Sequence, residues 1–138
     1  MSTVVVTAAV LAVATVTGGA APAFAATATL SIFTGCQTDD GRYYDYVLRV
    51  QGTTRYYPDG MRVDVRLWGD DEWSDDLLGG PYSSYSESSG SFSTAVCMNS
   101  STLNEDIGQD EIYAGVRVYD HAGVQRETAE TNRIHNYF

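Results

Sequence analysis

The run Met61-Arg62-Val63-Asp64-Val65-Arg66-Leu67-Trp68 sets an apolar residue at every second position and a charged or amphipathic one between. A repeat of two fits a strand with one dry face and one wet face, and it is incompatible with the 3.6-residue repeat of a helix. Met61, Val63, Val65 and Leu67 are therefore expected inside, with Arg62, Asp64, Arg66 and Trp68 outside. The same rule sets Tyr46, Leu48 and Val50 against Val47, Arg49 and Gln51. It sets Phe92, Thr94, Val96 and Met98 against Cys97, and Ile112, Ala114, Val116 and Val118 against Tyr113, Arg117 and Tyr119. "TATLSIFTG" reads as the first strand, ending at Cys36, and the polar "VQRETAETNRIHNYF" as an edge strand. Pro58-Asp59-Gly60 and Asp120-His121-Ala122-Gly123 supply turn chemistry between these runs. The one helix candidate is a single turn near Ser74 to Leu78. Six to eight short strands without a helical stripe predict an all-β, antiparallel two-sheet β-sandwich.

The first 25 residues have a different character. An apolar run from Val4 to Val16 is followed by small residues and Ala23-Phe24-Ala25, the pattern of a secretory signal peptide cleaved after Ala25. A retained anchor is the alternative, because the positive charge that normally precedes such a run is missing; even so, the run is short and alanine-rich for a membrane span. Residues 26–138 are then expected to form one secreted, extracellular β-sandwich domain of about 110 residues. Export places Cys36 and Cys97 in an oxidising space, so a disulfide is expected. In the chain-entropy view, closing a loop of that length stabilises by about 4 kcal/mol. No Cys-x-x-Cys pair points to redox or zinc chemistry.

Charge removes one class of partner and suggests others. Eighteen acidic residues against eight basic ones, all arginine, give a net charge of −10. Nucleic acid is excluded as a partner, since phosphate binding needs clustered cations. The acids concentrate in "WGDDEWSDDLLGG" and "LNEDIGQDE". Asp70, Asp71, Asp75 and Asp76 from the first stretch, with Asn104, Asp106 and Asp110 from the second, form a candidate calcium set if both loops leave the same end of the sandwich. Neither stretch has EF-hand spacing, and plain solvated acid serving solubility is the other reading.

Enzyme chemistry finds little support. His121 and His135 stand alone on polar segments, no Gly-x-Ser-x-Gly elbow occurs, and no catalytic residue is assigned. Ten tyrosines and two tryptophans favour binding instead. Trp68, Trp73, Tyr113 and Tyr119 are candidate contacts for an extracellular protein or a cell-wall glycan, because amphipathic aromatics bury area while keeping a polar handle. Packing against a covering loop would use the same side chains. The stretch from Gly79 to Glu87 is a further candidate, as a loop presented to a protease by an inhibitor. Edge strands leave oligomerisation open. The expectation is a non-catalytic binding or structural module, with calcium as its candidate stabiliser.

The segment "VDVRLWGDDEWSDDLLGG" followed by "SSGSF", from Val63 to Phe92, resembles the strand, acidic loop and glycine-to-phenylalanine strand start of transthyretin-like, prealbumin-type secreted sandwiches. The arginine-only cation set is similar to that of exported actinobacterial proteins. The resemblance implies the sandwich fold and export. The histidine-rich active site of that family's enzymes has no counterpart here. Cysteine spacing is similar to that of immunoglobulin domains, but Ala95 stands where their tyrosine precedes the second cysteine.

Overall fold

The computed structural model describes residues 24–55, 59–71, 73–104 and 110–138. The signal-peptide reading falls on residues almost all outside this set, as does Pro58 of the first turn.

The chain is all-β, in two sheets packed face to face. The strands are β1 (Phe24–Ala25), β2 (Thr27–Gln37), β3 (Tyr43–Thr53), β4 (Arg62–Gly69), β5 (Asp76–Tyr85), β6 (Ser91–Met98), β7 (Asp110–Tyr119), β8 (Gln125–Glu130) and β9 (Ile134–Asn136). One helical turn, α1 (Ser100–Leu103), interrupts them. β2, β3 and β6 form the smaller sheet, with β3 in the centre; the larger runs β1-β8-β7-β4-β5, and β9 also pairs with β7. Among the described residues every pairing is antiparallel except that of β1 with β8.

The inward set of the period-two reading holds along β4 and β7, while Asp64 and Tyr113 of the outward set are buried as well. Met61, Val63, Val65 and Leu67 have no exposed surface, and Ile112, Ala114, Val116 and Val118 have 1% or less. They meet Leu30, Leu48, Val50, Phe92 and Met98 from the other sheet in one core. Each such side chain stabilises by about 1.5–3 kcal/mol through the apolar area it removes from water. Apart from Thr54, whose hydroxyl has no hydrogen-bond partner among the described residues, the buried polar side chains are paired. Glu127, fully buried on β8, accepts a hydrogen bond from the Arg55 backbone N–H at 2.8 Å. Asp120 shapes the predicted hairpin turn, its Oδ1 accepting from the N–H groups of Ala122 and Val124 at 2.9 Å, while Gly123 takes φ +78°.

Two local expectations are corrected. The helical turn expected near Ser74 to Leu78 is instead the start of β5, because Asp76 and Leu77 pair with Gly69 and Trp68 in the ladder. The helical turn lies at Ser100–Leu103, where the Asp45 carboxylate accepts from the Ser100 N–H at 2.8 Å and from its hydroxyl at 2.9 Å. Nor is Gly79 to Glu87 a presented loop. Residues up to Tyr85 belong to β5 and pair with β4, and Ser86 bonds back to Met61.

Cys36 on β2 and Cys97 on β6 are joined by a disulfide, with Cα atoms 5.7 Å apart, inside the usual span. Both strands flank β3, so the bond fastens one sheet to itself. In immunoglobulin domains the corresponding bond pins two sheets together.

The sheets are joined elsewhere, at the break between β8 and β9. Thr131 keeps the β7 ladder continuous: its N–H donates to the Ala114 carbonyl at 3.0 Å and its hydroxyl accepts from the Ala114 N–H at 2.9 Å. Asn132 reaches the other sheet. Its side-chain oxygen accepts from the Leu30 N–H at 2.9 Å and its amide nitrogen donates to the Leu30 carbonyl at 3.2 Å. The amide thus occupies backbone positions that an added strand would otherwise fill at that point of β2.

Candidate functional site

The two acidic stretches do leave the same end of the larger sheet. The Asp70 N–H donates to the Glu111 carbonyl at 2.8 Å, one step beyond the Gly69 and Ile112 pair that closes the β4–β7 ladder. Asp70 and Asp75 stay close to each other, and the other side chains separate. Asp70 contacts the Arg133 guanidinium, and Asp75 accepts a hydrogen bond from the Tyr113 hydroxyl at 2.6 Å. Asp76 opens β5, Asp110 opens β7 opposite Asn136, and the Asn104 N–H closes α1 on the Ser100 carbonyl. Asp71 is half-buried, and Asp106, with Glu72 and Glu105, lies outside the described residues. Among the described residues, no three His, Cys, Asp or Glu side chains are grouped to hold a metal.

Part of the acidic crowding is offset by a cation from the chain itself. Arg133 binds Asp70, stands 3.9 Å from the Glu130 carboxylate, and lies over the Tyr113 ring with its guanidinium carbon 4.6 Å from the centroid. The hydrogen bond from Arg133 holds the Asp70 carboxyl below the usual carboxylate range, and the same contact raises the guanidinium further. His135 stands beside it, Nδ1 2.8 Å from Glu111. Sequence reading missed both, since Arg133 and Asp70 are 63 residues apart and no spacing rule links them.

The candidate aromatics separate into different roles. Trp68 and Tyr113 are direct cross-strand partners on the outer face of the larger sheet. Tyr113, expected on the wet side, is on that face but only 6% exposed, because Arg133 covers it. Burial first, and then its hydrogen bond to the Asp75 carboxylate, push its hydroxyl up to about 12. Tyr119 is half-buried beneath Arg62, 4.4 Å from the centroid. Trp73, in the acidic loop, is 92% exposed.

Beside Trp68 the outer face sinks into a hollow of about 580 Å³. Its floor is Gly115, which pairs with Arg66 on one side and Glu130 on the other. Trp68 and Tyr113 form one end; Arg117 and Thr128, partners of each other, form the other. The missing side chain makes the depression. A Cβ on Gly115 would come within 3.3 Å of the Trp68 indole nitrogen, tighter than ordinary van der Waals contact. An aromatic wall beside charged and hydroxyl-bearing side chains suits a ligand with both an apolar face and polar edges. No family model matches this chain, and no curated protein or solved structure matches it either.

Proposed function

We propose that the chain is an exported, non-catalytic binding module that takes a sugar ring on the outer face of its larger sheet, above Gly115 and against Trp68. The observation that carries this reading is the hollow itself. A glycine floor lets a ligand approach the backbone, an indole stands at its side, and donors and acceptors ring it. Sugar rings combine an apolar face, which packs on indole, with a rim of hydroxyls for Arg66, Thr128 and Glu130. The lining residues stand on the paired strands β4, β7 and β8, so little backbone ordering accompanies binding.

The test is a glycan array followed by calorimetry on the best binders, using the wild type, Trp68→Ala and Gly115→Ala. Both variants are expected to lose about tenfold or more in affinity, since 1.4 kcal/mol of lost contact is enough. An empty array, or binding unchanged by both substitutions, would remove the site. In this reading Arg133 supplies the cation that the acidic loop needs. Thermal melts in calcium and in chelator should share one midpoint; a higher midpoint in calcium would restore the ion.

A further inference from the structure

Resting on that reading, we infer that the sugar taken by this hollow is anionic, a uronic-acid unit whose carboxylate is received by Arg66 and Arg117. Acids outnumber the eight arginines by more than two to one, so most cations should find carboxylates nearby. Arg42, Arg62, Arg126 and Arg133 do, pairing with Asp40, Asp64, Asp120 and Asp70. Arg66 and Arg117, which both line the hollow, have no ion pair among the described residues.

The ladder register sets both on one face. Arg66 is the partner of Gly115, and Arg117 stands two residues further along β7 on the same face. That places them diagonally across two strands, about 7–8 Å apart at the backbone and within reach of one point for side chains of arginine length. The acid nearest by register is Asp64, opposite Arg117, and it is engaged elsewhere. Its Oδ1 takes the Arg62 guanidinium at 3.2 Å and the Ser83 hydroxyl at 2.8 Å. Glu130, on the far wall, lies 3.9 Å from Arg133, which offsets part of its repulsion and leaves its oxygens as acceptors for sugar hydroxyls. The hollow is thus a locally cationic spot in a molecule of net charge −10. A planar carboxylate is the group that guanidinium forks recognise best. A pyranose bearing one places its ring toward Trp68 and its hydroxyls toward Thr128 and Glu130.

The experiment compares each acid sugar with its own neutral form. Oligomers of galacturonate, glucuronate and mannuronate, and the methyl ester of each, are titrated into the intact protein by calorimetry. At least one acid is expected to bind about tenfold or more tighter than its ester. Arg66→Gln and Arg117→Gln should each reduce that preference, and together abolish it, the acid losing more affinity than its ester in each variant while the melting temperature stays unchanged. If no acid exceeds its ester, or the preference survives the double variant, the anionic assignment is overturned. Neutral glycans that still bind and still depend on Trp68 would then leave the sugar-binding reading intact. Loss of all glycan binding would remove both.

Discussion

Two tyrosines of β7 sit on the same outer face, each beneath an arginine that also holds an aspartate, and the arrangements differ in where the arginine comes from. Over Tyr119 lies Arg62, its direct partner on β4, with Asp64 two residues along the same strand. Over Tyr113 lies Arg133, from beyond β8, binding Asp70 in the loop beyond β4. The first is a local feature of one ladder and decorates it. The second joins three segments distant in the chain, and it covers an outward-facing tyrosine until it is buried. The same chemistry is an ornament when its members are neighbours and a tie when they are distant.

The difference should be largest in truncations of the rings. Tyr113→Ala is expected to destabilise by about 3–4 kcal/mol, in the range for losing a buried aromatic, whereas Tyr119→Ala should cost about 1–2 kcal/mol. Urea unfolding of the pair measures this, and equal losses would mean that Tyr113 is no more integral than its counterpart. Next come the arginines. Arg133→Gln should speed amide hydrogen exchange at Trp73, Ser74 and Asp75, because the loop loses its anchor, while Arg62→Gln leaves those amides unchanged. Acceleration in both variants, or in neither, would break the distinction.

A third contrast lies in alkaline titration. The Tyr113 hydroxyl ionises near 12, above its ordinary 10.0, so the folded state keeps a proton that the unfolded state loses. Its contribution to stability is complete below pH 10 and disappears as pH rises through about 12. Ultraviolet difference titration should show a late phenol that Asp75→Asn moves earlier; a spectrum without it would undo the buried assignment. The smallest effect is expected in acid. With its carboxyl held low by Arg133, Asp70 contributes stability that is present above the ordinary carboxyl value of 3.8 and lost as pH falls below it. Arg133→Gln should flatten that limb of a stability-against-pH curve, and an unaltered slope would show that the pair is not coupled to folding.

The same contrast explains what was legible in the sequence. Alternation along β4, β6 and β7 exposed both the dry face and the two-sheet class, since it records which side each residue takes. The cysteine pair and the Asp120 turn were equally plain, because each depends on few residues or on compartment. Trp68 was identified as a contact, but the hollow beside it was not. It arises from the absence of a side chain at Gly115, and its two cations face it only through the β4–β7 register. Arg133 was unreadable for a related reason: the acids announced a need for positive charge, and nothing local revealed that the chain would meet it from the last strand pair. The turn expected near Ser74 to Leu78 failed because pairing of Asp76 and Leu77 with β4, which no local pattern shows, draws that stretch into an edge strand.

The three-residue gap between β8 and β9 has a consequence for the order of assembly. Thr131, Asn132 and Arg133 follow the seven long strands of the described residues, and each secures a different neighbour: the β7 ladder, β2 and the acidic loop. A chain interrupted before them would possess every long strand and yet have a loose seam and an unneutralised loop. The closing stitch comes late in the chain, after the strands and the loop that it fastens.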